Sequence, residues 1–136
     1  IVLSMEGGSL PLQVLPFKLF AGGPIGSGKQ YHSWIHLADE IAAIRFLIDN
    51  DQASGAFNLT APQPLSNADF GRTIARVLSR PYFLPAPGIA FKLAFGETSS
   101  VLLTGQNVIP ARLQALGYDF KFSQLEPALR DIFKSS

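Results

Sequence analysis

The sequence predicts an α/β protein, with the end of a parallel sheet over residues 1–64 and a smaller, mainly helical lobe over residues 65–136. Three observations carry this. Strand-like apolar runs alternate with helical-period segments of about ten to fourteen residues, the pattern of crossover connections rather than of a sandwich or bundle. The opening run Ile1-Val2-Leu3-Ser4-Met5 is apolar and begins β-branched, like a strand covered on both faces. From about Leu65 the elements shorten and prolines accumulate.

After the first strand, Glu6-Gly7-Gly8 makes a turn, and Leu10, Val14, Leu15, Leu19 and Phe20 fall at helical spacing. Pro11 sits near the start of that helix and Pro16 inside it, so it is expected to be bent or short. Residues 21–30 hold four glycines and a proline and read as a loop. Tyr31 to His36 is a strand feeding a helix whose apolar stripe, Leu37, Ile41, Ile44 and Ile48, runs to about Asp49. Gly55 resets the chain, Ala56 to Thr60 is a second short strand, and Ala61-Pro62-Gln63-Pro64 is a rigid connector.

In the second half, Ser66 with Asp69 three residues on opens a helix whose buried face is Phe70, Ile74, Val77 and Leu78, and Arg80-Pro81 stops it. Tyr82 to Leu84 is another short strand, and Ile89 to Phe95 is helical. Pro110 and Gly117 bracket a short helix over 111–116. Tyr118, Phe120 and Phe122 alternate with Asp119 and Lys121, as in a half-exposed strand. Ser123 and Glu126 then open a last helix with Leu125, Leu129, Ile132 and Phe133 on one face.

Composition narrows the function. The 136 residues are 47% hydrophobic, enough for a real core, and 15% charged with a net charge of +1, which leaves no field to steer a polyanion. Nucleic acid is therefore not an expected partner. With no cysteine, disulfides, thiolate zinc sites and thiol catalysis drop out together. His32 and His36 are four apart, yet no further ligands complete a shell, so no metal is expected. The apolar stretch 82–95 is broken by Pro85, Pro87, Gly88 and Lys92 and is too short to span a bilayer. No leader is visible, and a cytoplasmic protein is the expectation. A buried strand at Ile1 needs neighbours on both sides, so the chain is expected to be the carboxyl-terminal piece of something larger.

Four motifs invite a chemical reading. Gly23 to Lys29 satisfies the phosphate-loop spacing G-x-x-x-x-G-K, but Gln30 stands where the magnesium-binding hydroxyl belongs, a helix-like stretch precedes and a strand follows. It reads either as a flexible loop or as one over a ligand, with Lys29 and Gln30 reaching an anionic or hydroxylated substrate. Ser33-Trp34-Ile35-His36 with Asp39 ends a strand where open α/β sheets bind ligands, although Trp34 also suits a core and Asp39 a helix start. Arg72, Arg76 and Arg80 line one helix face, a solvated surface rather than a nucleic-acid groove. Glu97, Gln106 and Asn107 are polar groups in an apolar stretch, holding turns or facing a partner domain. No nucleophile elbow and no carboxylate pair stand out, so no catalytic residue is assigned.

Taken in order, Gly7-Gly8-Ser9-Leu10, Gly26-Ser27-Gly28-Lys29-Gln30, Ser33-Trp34-Ile35-His36 with Asp39, Phe57-Asn58-Leu59-Thr60-Ala61-Pro62 and Gly105-Gln106-Asn107-Val108-Ile109-Pro110 resemble the carboxyl-terminal half of one family. That family is the epimerase-like branch of the extended short-chain dehydrogenase/reductases, the NAD-dependent epimerase/dehydratases, with a small appended domain of unknown function over about Phe83 to Phe133. The resemblance implies a Rossmann-like sheet, with residues 65–136 as the substrate lobe. It implies NAD or NADP in the full-length parent and none held by this stretch alone. It implies Ser4, Met5, Gly7 and Gly8 as the edge near the nicotinamide, and Lys29, Gln30, Ser33, Trp34 and His36 as the wall of the substrate cleft. The family's glycine fingerprint is missing, and Tyr31, Tyr82 and Tyr118 have no lysine four residues on.

The expected function is therefore substrate binding within an NAD(P)-dependent epimerase/dehydratase or reductase acting on a sugar nucleotide or similar polar metabolite, not catalysis by this stretch itself. The rival expectation is a non-catalytic interaction module, a homo-oligomer built through the exposed first strand.

Overall fold

Of the apolar opening run only Val2 and Leu3 form a strand; it pairs in parallel, but it is not covered on both faces as expected, since Leu3 is buried and Val2 exposed. A computed structural model describes residues 1–85, 105 and 107–134, and in chain order its elements are β1 (Val2–Leu3), α1 (Leu10–Lys18), β2 (Tyr31–His32), β3 (Ile35–His36), α2 (Leu37–Ile48), β4 (Leu65–Ser66), α3 (Asn67–Leu78), α4 (Ala111–Ala115) and α5 (Leu125–Lys134). Val2 stands opposite Ile35 and Leu3 opposite His36 in the parallel pair. A second, antiparallel pair sets Tyr31 against Ser66 and His32 against Leu65. The predicted α/β class and its parallel pair are thus present.

The segment 31–36 departs from expectation by splitting. Rather than one strand, β2 and β3 belong to different sheets, with Ser33 and Trp34 between them. The reason lies in Trp34: its ring is completely buried, its indole N–H donates to the Gln63 carbonyl at 2.8 Å, and its own carbonyl accepts the Ala61 N–H at 2.7 Å. Those bonds turn the chain from one ladder to the other. No ladder forms over 56–60, so the strand expected there is absent, as is the one expected over 118–122. Residues 82–84 contribute only a bridge, Tyr82 to Gly22. The helix expected over 89–95, with Glu97 and Gln106, lies outside the described residues.

Helix α1 tolerates Pro11 at its start, where the missing N–H has no partner to lose, and continues past Pro16 to Lys18. Its buried face is Leu10, Gln13, Val14 and Phe17, whereas Leu15, Leu19 and Phe20, expected inside, are exposed. Helix α2 shows the same inversion more strongly: Ile41, Ile44 and Ile48 face outward, and the buried positions are Asp39 and Ala43. Periodicity locates a stripe but not the side on which the core lies. Helix α3 follows expectation, capped by Ser66, whose hydroxyl accepts the Asp69 N–H at 3.2 Å, and closed by Ser79 in the left-handed region.

One hydrophobic cluster joins both halves of the sequence. Leu3, Leu10, Val14, Phe17 and Trp34 from before residue 65 pack with Phe70, Ile74, Leu125, Leu129 and Ile132 from after it. At about 1.5–3 kcal/mol for each large side chain fully removed from water, this cluster is the main stabilising core, with α5 packed chiefly on α3. Gly105 is seated against β2 with φ +65, and a Cβ there would come 2.2 Å from the Tyr31 carbonyl oxygen, so the position requires glycine.

Candidate functional site

The parallel pair fixes where chemistry belongs. Leu3 and His36 are the last residues of two adjacent parallel strands, and a cavity of about 300 Å³ opens just beyond them. It is lined by Leu3, Ser4, Met5 and Glu6 after β1, His36 and Leu37 at the β3–α2 junction, and Asp131 and Ile132 of α5. A larger, open hollow of about 720 Å³ runs along the outer side of α2, between Arg45, Phe46, Asp49 and Tyr118. It lies away from the strand ends, and we place the site in the smaller cavity.

His36 is the centre of this cavity's polar wiring. Its Nδ1 accepts the Ala38 N–H at 2.9 Å and so caps α2, while its Nε2 lies 2.9 Å from Asp131 Oδ2. Since an accepting Nδ1 carries no proton, the hydrogen-bond geometry assigns the Nε2–H tautomer, donating to the carboxylate. The Phe122 ring stacks on the imidazole with centroids 4.2 Å apart, and the ring is only 7% exposed as a residue.

The other expected site residues are dispersed. Ser4 and Met5 line the cavity, and Ser4 Oγ accepts the Glu6 N–H at 3.1 Å; Gly7 and Gly8 form the exposed turn beyond it. Lys29 is exposed on its loop, and Gln30 spans that loop by donating from Nε2 to the Ile25 carbonyl at 2.9 Å. Ser33 is nearly buried, and its Oγ accepts the Val108 N–H at 2.8 Å. Trp34 sits wholly in the core. Of the substrate-wall residues, then, His36 alone lines the cavity within the described residues.

The phosphate-loop look-alike is a helix cap. The Gly28 and Gln30 carbonyls accept the Ala68 and Asn67 N–H groups, so the first donors of α3 are spent on the loop. The Asn67 carboxamide oxygen accepts the Ile25 N–H at 2.7 Å and pins the loop from the other side. Arg72 pairs with Asp69 and lies over Tyr82, Arg76 pairs with Glu126 of α5, and Arg80 lies over Phe20. The two histidines diverge, His32 onto Phe70 and His36 onto Phe122, and no cluster of three metal-ligating side chains gathers among the described residues.

Two cavity residues, Glu6 and Asp131, are not expected in the site from sequence, and Asp39, expected at a helix start or near a ligand, is instead a buried acceptor. Asp39 receives the Tyr118 hydroxyl and the Lys121 and Phe122 N–H groups at 2.7–2.9 Å. Burial, then the bond to Asp39, pushes the Tyr118 hydroxyl far above its ordinary range. Neighbouring Glu40 is raised by burial, an effect the Ile1 ammonium partly offsets. Asp131 lies 95 residues from His36, and nothing in a single sequence signals that pairing.

A parallel strand pair with its cleft at the carboxyl edge defines a Rossmann-like α/β protein. More particularly, the chain is similar over its whole length to epimerase family proteins, the resemblance that the ordered motifs carry. It is 49% identical over 134 residues to an epimerase family protein of Staphylococcus aureus, covering 98% of this chain and 45% of that protein. It superposes with TM-score 0.90 and 36% identity on human epimerase family protein SDR39U1, solved with NADPH, covering all of this chain and 46% of that one. A nucleoside-diphosphate sugar epimerase from Corynebacterium glutamicum follows, at TM-score 0.71 and 31% identity, covering 97% and 24%. Residues 86–132 match a family described as a domain of unknown function, DUF1731. The chain spans less than half the length of the curated relatives it matches.

Proposed function

We propose that this chain is the substrate-side portion of an NAD(P)-dependent oxidoreductase of the epimerase/dehydratase type, acting on a sugar nucleotide or similar polar metabolite in the cytoplasm. The observation that supports it most is the strand-end cavity lined by Ser4, Met5 and His36, in a chain 36% identical to a protein solved with NADPH. In this reading a bound nicotinamide supplies hydride chemistry, and the chain's own residues position and enclose. Ser4 and Met5, with the Gly7-Gly8 turn, border the nicotinamide; His36 holds the substrate side; exposed Lys29 is available to an anionic substrate group. Ser33 and Trp34 act from behind, as the packed support of that wall. The glycine fingerprint and the Tyr/Lys pair are not among these 136 residues, so the reading assigns them to other sequence and assigns no hydride transfer to this chain alone.

The test joins the chain to the part of its Staphylococcus aureus relative that it does not cover and titrates the hybrid with NADPH by fluorescence. Saturable binding supports the reading. A well-folded hybrid that binds no nicotinamide removes its basis. A non-catalytic module that self-associates through β1 is the second reading, favoured by Val2, which is 38% exposed on a strand bonded on one side among the described residues. Obligate oligomers in light scattering, with no stabilisation by nicotinamide or nucleotide sugar, are its signature.

A further inference from the structure

The residues matched as a domain of unknown function include Asp131 and Ile132, and both line the strand-end cavity. Helix α5 is therefore more than a support for the core: its buried side, Leu125, Leu129 and Ile132, packs inward, and Asp131, just before Ile132, reaches the cap of α2. We propose that α5 is the closing wall of the ligand cleft, and that Asp131 is a positioning residue that holds His36 as the Nε2–H tautomer within it. This rests on the reading of the strand-end cavity as the substrate site.

The chemistry follows from the two bonds to one ring. A neutral imidazole has one donor and one acceptor nitrogen, and the first turn of α2 claims the acceptor. The donor then needs an acceptor outside α2, and Asp131 provides it from 95 residues away. Without that carboxylate the ring retains one bond and the Phe122 stack, and its Nε2–H turns to water or to the ligand. The cleft so closed presents carboxylates from Glu6 and Asp131 and the Ser4 hydroxyl, with no Lys or Arg among its described lining residues. It is thus suited to a neutral, hydroxyl-bearing group and unfavourable to phosphate. Any anionic part of a substrate lies outside this end of the cleft.

The experiment follows the His36 imidazole by nitrogen-15 NMR in the full chain. Wild type and Asp131→Asn, whose carboxamide oxygen still accepts, are expected to keep the Nε2–H tautomer; Asp131→Ala is expected to exchange that proton about tenfold faster. Asp131 has a half-exposed side chain, so Asp131→Ala is expected to fold, and the Asn variant controls for any loss of stability. Methyl glucoside is the neutral probe and glucose 1-phosphate the anionic one. The expectation is that methyl glucoside shifts the His36 signals in wild type while glucose 1-phosphate does not, and that Asp131→Asn narrows the difference. Unchanged exchange in Asp131→Ala overturns the positioning role. Shifts from glucose 1-phosphate equal to those from methyl glucoside, or no shift from either, overturn the ligand class. Neither result depends on nicotinamide binding, so failure here is distinct from failure of the hybrid titration.

Discussion

Asp39 accepts three hydrogen bonds at a site closed to water, two of them from consecutive backbone N–H groups. Asp39→Asn places a carboxamide NH₂ where acceptors are required, and the expected cost is about 3 kcal/mol in urea denaturation. Glu40, one residue on, gives a pH signature. Its folded carboxyl titrates above the ordinary range because burial disfavours the charge, so the folded state holds the proton more tightly than the unfolded chain. The contribution of this group to stability is then greatest at acid pH and falls as pH rises from the unfolded value through the folded one. Glu40→Gln is expected to be more stable than wild type near neutrality, with the gap in urea midpoints closing as pH drops toward 4. At this scale the sequence was only partly legible. His36 could be placed at a strand end from type and spacing alone, whereas the buried-acceptor role of Asp39, which reads as a helix-start residue, and the pairing of Asp131 show only once partners about 80 and 95 residues distant are known.

Elements were more legible, because local signals dominate them. The Ser66 cap, the proline and glycine around α4 and the apolar faces of α3 and α5 all stand where spacing puts them. What failed was orientation: α2's isoleucine stripe faces outward, and its buried positions are Ala43 and Asp39, the latter covered by the 118–122 segment. Strand assignments over 56–60 and 118–122 failed because β-like composition does not supply a neighbouring ladder. Close packing between α1 and α3 offers a test. A Cβ at Gly71 would come 2.7 Å from the Tyr82 ring and 3.5 Å from Phe17. Gly71→Ala gains helix propensity, yet the rigid ring between two helices has little room to yield. A net loss of about 1–2 kcal/mol is expected, read as a lower thermal midpoint.

Across the whole molecule, the exposed isoleucines of α2 join a shallow groove lined by Ile44, Leu47, Ile48 and Phe57. Apolar surface gathered in this way promotes association. Ile44→Glu with Ile48→Glu is expected to change stability by less than about 0.5 kcal/mol per site while lowering the apparent mass in light scattering at high concentration. The turn at Ser33 and Trp34, where the chain leaves one ladder for the other, has a kinetic consequence. Each ladder joins residues roughly thirty or more positions apart, Val2 with Ile35 and Tyr31 with Ser66, so neither forms as a hairpin and both await the collapse of long loops. Helical circular dichroism should therefore recover early in refolding, and the fluorescence of the single tryptophan, at the junction of the two ladders, should report the last and slowest step.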